Sequence, residues 1–169
     1  MNELTPANPL ERDVLHHLDE QIESARRLLA SILSQGAAIR DRDVENVLAR
    51  LGDIKVEMEL RGRLEADRTD LLVRAGTQLG VPAAAVTLEA MTSLMSPIVA
   101  ERARERSAEL RGLLDEVARE HGINRALMRQ ELAFLDHLTR LLGREPEGSY
   151  RPSGPAARPA SHHVLNLQA

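Results

Sequence analysis

The apolar positions of this chain fall into stripes whose spacing alternates between three and four residues. Between Leu10 and Ser34 one such stripe runs Leu15, Leu18, Ile22, Ala25, Leu29 and Ile32, the seam by which one helix packs along another. Gly36 is expected to stop this helix, and Asp41 or Asp43 to cap a second. The seam of that second helix opens with Val44, Val47, Leu51, Ile54 and Met58. The same register then meets Arg61, Glu65 and Arg68, while Leu60, Leu64 and Leu71 form a stripe rotated around the helix, before Leu72, Ala75 and Leu79 resume the first seam. Apolar surface on two sides reads as a central rod that touches one neighbour near its start and another near its end. The alternative reading is an exposed patch for a partner.

Leu79-Gly80-Val81-Pro82 breaks the pattern, and Thr87 can cap a short helix through Leu94 before Ser96-Pro97 opens a long one. In that long run Leu110, Leu113 and Val117 make one seam section, and Met128, Leu132, Leu135, Leu138 and Leu142 make another. Between them stand His121 and Asn124, polar seam positions of the kind that fix helix register. Gly122 costs about 1 kcal/mol against alanine, which the helix formers on both sides outweigh, so one continuous helix of roughly 68 Å is expected. Beyond Gly143, the residues Pro146, Gly148, Pro152, Gly154, Pro155 and Pro159 cannot continue it. The pattern therefore predicts an all-α, elongated antiparallel bundle or coiled coil of three main helices, about 10–34, 41–79 and 97–142, with a short connector helix at 87–94. Residues 1–143 form the helical domain in this reading, and 144–169 an extended tail carrying the lone tyrosine, Tyr150.

Composition narrows the function classes. The balance of 22 basic and 26 acidic residues, net −4, argues against non-specific binding to nucleic acid or to an anionic membrane surface. The chain has no cysteine, which removes disulfides, thiolate metal sites and thiol nucleophiles. Aromatics are 1% of residues, so the core is built from Leu, Ile, Val and Ala and there is little surface for stacking on bases. With no leader-like segment from Met1 to Pro9 and no apolar run near ~20 residues, a soluble cytoplasmic protein without membrane insertion is expected.

Six histidines raise a metal centre as a possibility, because helical bundles hold metal pairs through repeated Glu-x-x-His motifs. Here Asp13-x-x-His16 is a single loose analogue, His17 and His137 lack a repeated partner motif, and His162-His163 lies in the tail. No metal, cofactor or catalytic group is assigned. Two stretches imitate a helix-turn-helix, Gly76 to Val81 and Ala118 to Leu127 around Gly122, but the acidic balance and Pro82 weigh against a DNA-binding regulator.

The order of elements, two helices, a variable connector, a long third helix and an extended tail, resembles the FlgN family of flagellar type III export chaperones. Leu64-Glu65-Ala66-Asp67-Arg68 followed by Leu71-Leu72 is similar to that family's second-helix Leu-Glu-x-x-Arg, and Asn124-Arg125-Ala126-Leu127-Met128 to its third-helix Asn-x-x-Leu-Leu. Ser149-Tyr150, Gly154 and the ending Leu165-Asn166-Leu167-Gln168-Ala169 resemble the family's tail. The chain departs from the pattern at His121 and in its connector from Val81 to Pro97. The resemblance implies a chaperone that binds the C-terminal helical ends of the hook-filament junction proteins FlgK and FlgL and delivers them to the export gate, with Tyr150 docking on the gate protein FlhA. Burial logic puts the client surface at Leu132, Leu135, Leu138 and Leu142. The competing class is a coiled coil that oligomerises through the same seams, with an inert tail.

Overall fold

The computed structural model describes residues 8–142, and every element among them is helical: α1 (Pro9–Arg40), α2 (Val44–Leu79), a 3₁₀ turn (Ala83–Ala85), α3 (Leu88–Thr92) and α4 (Pro97–Leu142). Two units divide the chain, Met1–Ala133 and Phe134–Ala169. The architecture below is that of the first.

Each helix start has its chemical reason. The Asn8 side chain accepts from the Leu10 amide at 3.1 Å and Pro9, which has no amide hydrogen to satisfy, takes the first helical position. Asp43, rather than Asp41, caps α2 by accepting from the Asn46 amide at 3.1 Å, and Thr87 caps α3 by accepting from Ala90 at 3.1 Å. Arg42, at φ 58°, supplies the left-handed residue that reverses the chain between α1 and α2. Gly80, at φ 70°, ends α2, and the Val81 amide reaches back to the Gly76 carbonyl at 3.0 Å.

Helix α1 extends past its predicted end. Gly36 lies inside it and is buried, because α4 comes so close there that a Cβ at Gly36 would meet Asn124 Oδ1 at 2.5 Å. The predicted seam of α1 holds, with Ile22, Ala25 and Ile32 buried. The ion pairs Asp19–Arg106 (2.7 Å) and Arg26–Glu109 (2.5 Å) run beside it and fix α4 parallel to α1. A second seam runs Leu10, Val14, His17, Gln21, Ser24, Leu28 and Gln35, all buried. It faces α2, which lies antiparallel: Leu10 and Val14 pack with Leu71 and Ala75, Arg74 pairs with Asp13 at 2.9 Å, and Glu57 accepts from Ser24 Oγ at 3.2 Å and Arg27 Nε at 2.7 Å.

The central rod is therefore α1, not α2. Expectation placed the second helix there because its apolar residues occupy two sides. In the structure α2 turns Val47, Ile54, Glu57 and Leu64 toward α1 and leaves Val44, Leu48, Leu51 and Met58 exposed. The core sits where α1 begins: Leu10, Val14, Leu71, Ala75 and Met91, with Leu18, Leu72, Val86, Leu94 and Met95 packed around it. The connector is tied down by Asn8 donating to the Leu94 carbonyl at 3.4 Å and by the Glu11 carboxylate accepting from the Ser96 amide at 2.5 Å. Both bonds anchor the start of α4 beside the start of α1.

Candidate functional site

The 3.6-residue period of α4 sorts its side chains into a packed face and a free one. In the first unit Ala100, Ala103 and Asn124 are buried, and Leu110, Leu113, Leu114, Val117 and Leu127 are half-buried. Asn124 is 2% exposed and donates to the Ile32 carbonyl at 2.8 Å and to Gln35 Oε1 at 3.4 Å, so an amide is satisfied inside a helix seam and fixes how α4 registers on α1. His121, paired with Asn124 in the sequence reading as a register residue, is exposed. Helix α4 runs unbroken through Gly122, whose Cβ position is open space. The turn that a helix-turn-helix needs is absent there, and the other imitation, Gly76 to Val81, is the glycine cap of α2.

The predicted client residues divide between the two units. Leu132, in the first, is 65% exposed. In the second, the described residues 134–142 are the last turns of α4, where Leu135 (55%) and Leu142 (84%) are exposed and Leu138 is half-buried. Phe134 and Leu141, exposed in the same turns, were not singled out from the sequence because they fall outside the heptad seam. Leucines that continue a packing seam yet stand in solvent are candidates for contact with another chain. Tyr150 lies outside the described residues.

A cleft of about 400 Å³ opens among the helices near the core, lined on α1 by Val14, His17 and Leu18, on α2 by Glu65 and Leu72, and on α4 by Ser107 and Leu114. Another, of about 610 Å³, lies between α1 and α2 and holds Asp13, His16, Glu20, Asp67, Asp70 and Arg74. The Arg74 guanidinium donates to Asp13 and holds that carboxyl below its usual range. Burial pushes the His17 imidazole below its ordinary value, against the opposing pull of Asp67, Glu20 and Glu65. His17 Nδ1 has no hydrogen-bond partner among the described residues. No group of His, Asp and Glu side chains among the described residues is arranged to hold a metal ion, and no described helix is long and apolar enough to cross a membrane.

Comparison with curated proteins and with solved structures returns no match. The sequence model of one family, described as FlgN protein, matches residues 10–158. That span takes in all of α2, the connector and α4, nearly all of α1, and the segment around Tyr150. The order of helices and the leucine, asparagine and tyrosine motifs thus have a common explanation: the chain belongs to the FlgN family of flagellar export chaperones.

Proposed function

We propose that the protein is a cytoplasmic chaperone for the junction proteins FlgK and FlgL, binding their C-terminal amphipathic helices through Leu132, Leu135, Leu138 and Leu142 and presenting them to the export gate protein FlhA through Tyr150. Residues 1–143 are the chaperone domain in this reading and 144–169 the tail that engages the gate. The reading is supported above all by the exposure of Leu132, Leu135 and Leu142, which carry the seam of α4 forward with nothing of the described chain over them. A client helix laid along them would be shielded from aggregation before export. Binding, not chemistry, is the whole activity.

The test uses the full chain with a junction protein. Leu135→Glu puts a charge into a desolvated helix contact and should abolish co-purification while leaving the thermal melt by circular dichroism unchanged. A lowered melt would make the position structural instead. Exposed seam leucines also suit a self-associating coiled coil. Sedimentation of the free protein separates the two, since an oligomer that Leu135→Glu dissociates belongs to the second reading. For the tail, Tyr150→Ala should keep client binding and lose capture of the soluble FlhA domain by the chaperone–client complex.

A further inference from the structure

Near the core, the cleft between α2 and α4 is lined by Leu72 and Glu65 on one side and by Ser107 and Leu114 on the other. Seven-residue steps keep a helical side chain on nearly the same face. Continued along α2, those steps give Met58, Leu51 and Val44; continued along α4, they give His121 and Met128. The helices run antiparallel, and Arg42, just before α2, pairs with Glu131, so the start of α2 near Val44 comes level with α4 near Met128, and Leu51 with α4 near His121. Here the cleft is no longer filled. Val44 is 68% exposed, Leu48 62%, Leu51 53% and Met58 55%; Met128 is exposed across from the Val44 end, with Leu132 exposed just beyond it. One face of the first unit is thus bordered by two apolar stripes, both with the spacing of a helix seam, on helices that α1 holds apart. The close backbone approaches among the elements are those of α2 with α1 and with the 3₁₀ turn.

The charges around this opening are unbalanced. Asp53 is taken by Arg50 at 2.8 Å and Glu131 by Arg42 at 3.6 Å. Lys55, which stands in the α2 stripe between Leu51 and Met58, and Arg125 and Arg129 on α4 make no ion pair among the described residues, and Glu45 and Glu59 are the unpaired acids beside them. A cationic surplus along an apolar trough selects its occupant by the sign of the flanking charges.

We propose that the trough between the first half of α2 and the second half of α4 receives an amphipathic helix of the client, with an apolar seam of alternating three- and four-residue spacing and acidic residues on its shoulders, so that three helices of the chaperone and one of the partner close a four-helix bundle. This rests on the chaperone reading above and extends it: α2 is half of the binding surface, and the client's flanking acids decide recognition. Lys55, Arg125 and Arg129 are the selective residues and Val44, Leu48, Leu51 and Met58 the apolar wall.

Two experiments on the full-length chain test it. The first titrates a synthetic helix of about three heptads, leucine in the seam and glutamate on the shoulders, against the wild type and Leu51→Glu/Met58→Glu, with a lysine-shouldered helix as control. Expected is binding of the acidic helix only, weakened roughly tenfold or more by the double variant at an unchanged melt. Arg125→Glu/Arg129→Glu should reverse the preference toward the lysine helix. Equal affinity of wild type and Leu51→Glu/Met58→Glu for the acidic helix overturns the proposal, as does indifference to shoulder charge. Self-association of the free chain that the same double variant abolishes also overturns it, making a second copy the occupant. The second experiment captures a junction protein on Leu135→Glu and on Leu51→Glu/Met58→Glu. Loss in both is expected; loss in the first alone leaves the chaperone reading standing and removes α2 from it, whereas junction-protein capture that neither variant changes sinks the α4 surface itself.

Discussion

The C-terminal half of α2 buries Leu64, Leu71, Ala75 and Gly76, whereas its N-terminal half, in the same helix, leaves Val44, Leu48, Leu51 and Met58 largely in water. The exposed half is the richer of the two in Val, Leu, Ile and Met, so composition does not explain which half is buried. What differs is what lies opposite. Around Leu71 three helices and the connector converge, with Leu10 and Val14 from α1, Met91 from α3 and Val86 from the loop before it. Around Leu51 α2 meets only α1, through the half-buried Val47 and Ile54 and the bonds from Ser24 and Arg27 to Glu57. One stretch of apolar side chains is an interior because the chain supplies its lid, and the other awaits one. Large aliphatics aligned along an uncovered face carry a standing risk of aggregation, which is the physical reason to read them as an interface.

The sharpest way to break that comparison is to truncate a leucine in each half. Leu71→Ala removes packed methyls from the core and should cost about 2–5 kcal/mol, read as a shifted urea midpoint at constant slope. An equally small loss at Leu71 as at an exposed leucine would mean that the packed half is no more filled than the open one. Next in size is Gly76→Ala. A Cβ there would stand 2.7 Å from the Val81 carbonyl oxygen and 3.3 Å from the Ala83 amide nitrogen, both backbone atoms that cannot swing aside. The connector must shift, at about 1–3 kcal/mol, and the melt should fall accordingly.

Acid should weaken the packed half. His17 lies 7% exposed between α1 and α2, and its burial lowers the imidazole from the ordinary value of 6.5. A histidine whose folded value is depressed must take a proton on unfolding once the pH is below its unfolded value, so the stability it permits is present above about pH 6.5 and is lost as pH falls from there toward the folded value. The loss is at most about 1.4 kcal/mol per pH unit for one proton. Urea midpoints at pH 7.5, about 6 and about 5 should fall for the wild type and fall less steeply for His17→Gln. The same slope in both proteins would show that other groups govern the acid response.

How far all this was legible in the sequence depends on which side chains make the seams. The four helices, the Asn124 contact and the unbroken run through Gly122 follow from spacing, because leucines, a cap and flanking helix formers signal them directly. The second seam of α1 did not show, since His17, Gln21, Ser24 and Gln35 occupy it and a polar residue inside a bundle looks like a solvated one until its partner is known. That omission moved the centre of the bundle from α1 to α2. It also left the open wall of α2, with Val44, Leu51 and Met58, as the alternative reading of an exposed patch for a partner, behind that of a central rod. Gly36 misled for a related reason: the residue that ends many helices is here the one small enough to admit Asn124. At the candidate site the α4 leucines were found by their period alone, and Phe134 and Leu141 were not, being off that period.

The smallest effect is the most telling for the open half. At Leu51, 53% exposed, glutamine gives up little packing and costs little helix propensity. Leu51→Gln should leave the urea midpoint within about 0.5 kcal/mol of the wild type, the range of ordinary surface changes. Leu48→Gln, at 62% exposure, should behave alike. The opposite result is just as readable. A loss of about 2 kcal/mol or more at either position would place it inside a contact that the single chain does not make, so the measurement is repeated over a range of protein concentrations. If the loss grows as the wild type becomes more stable with concentration, the cover over α2 is another copy of the chain; if it does not, the open half of α2 packs as tightly as the closed half, and the contrast between them disappears.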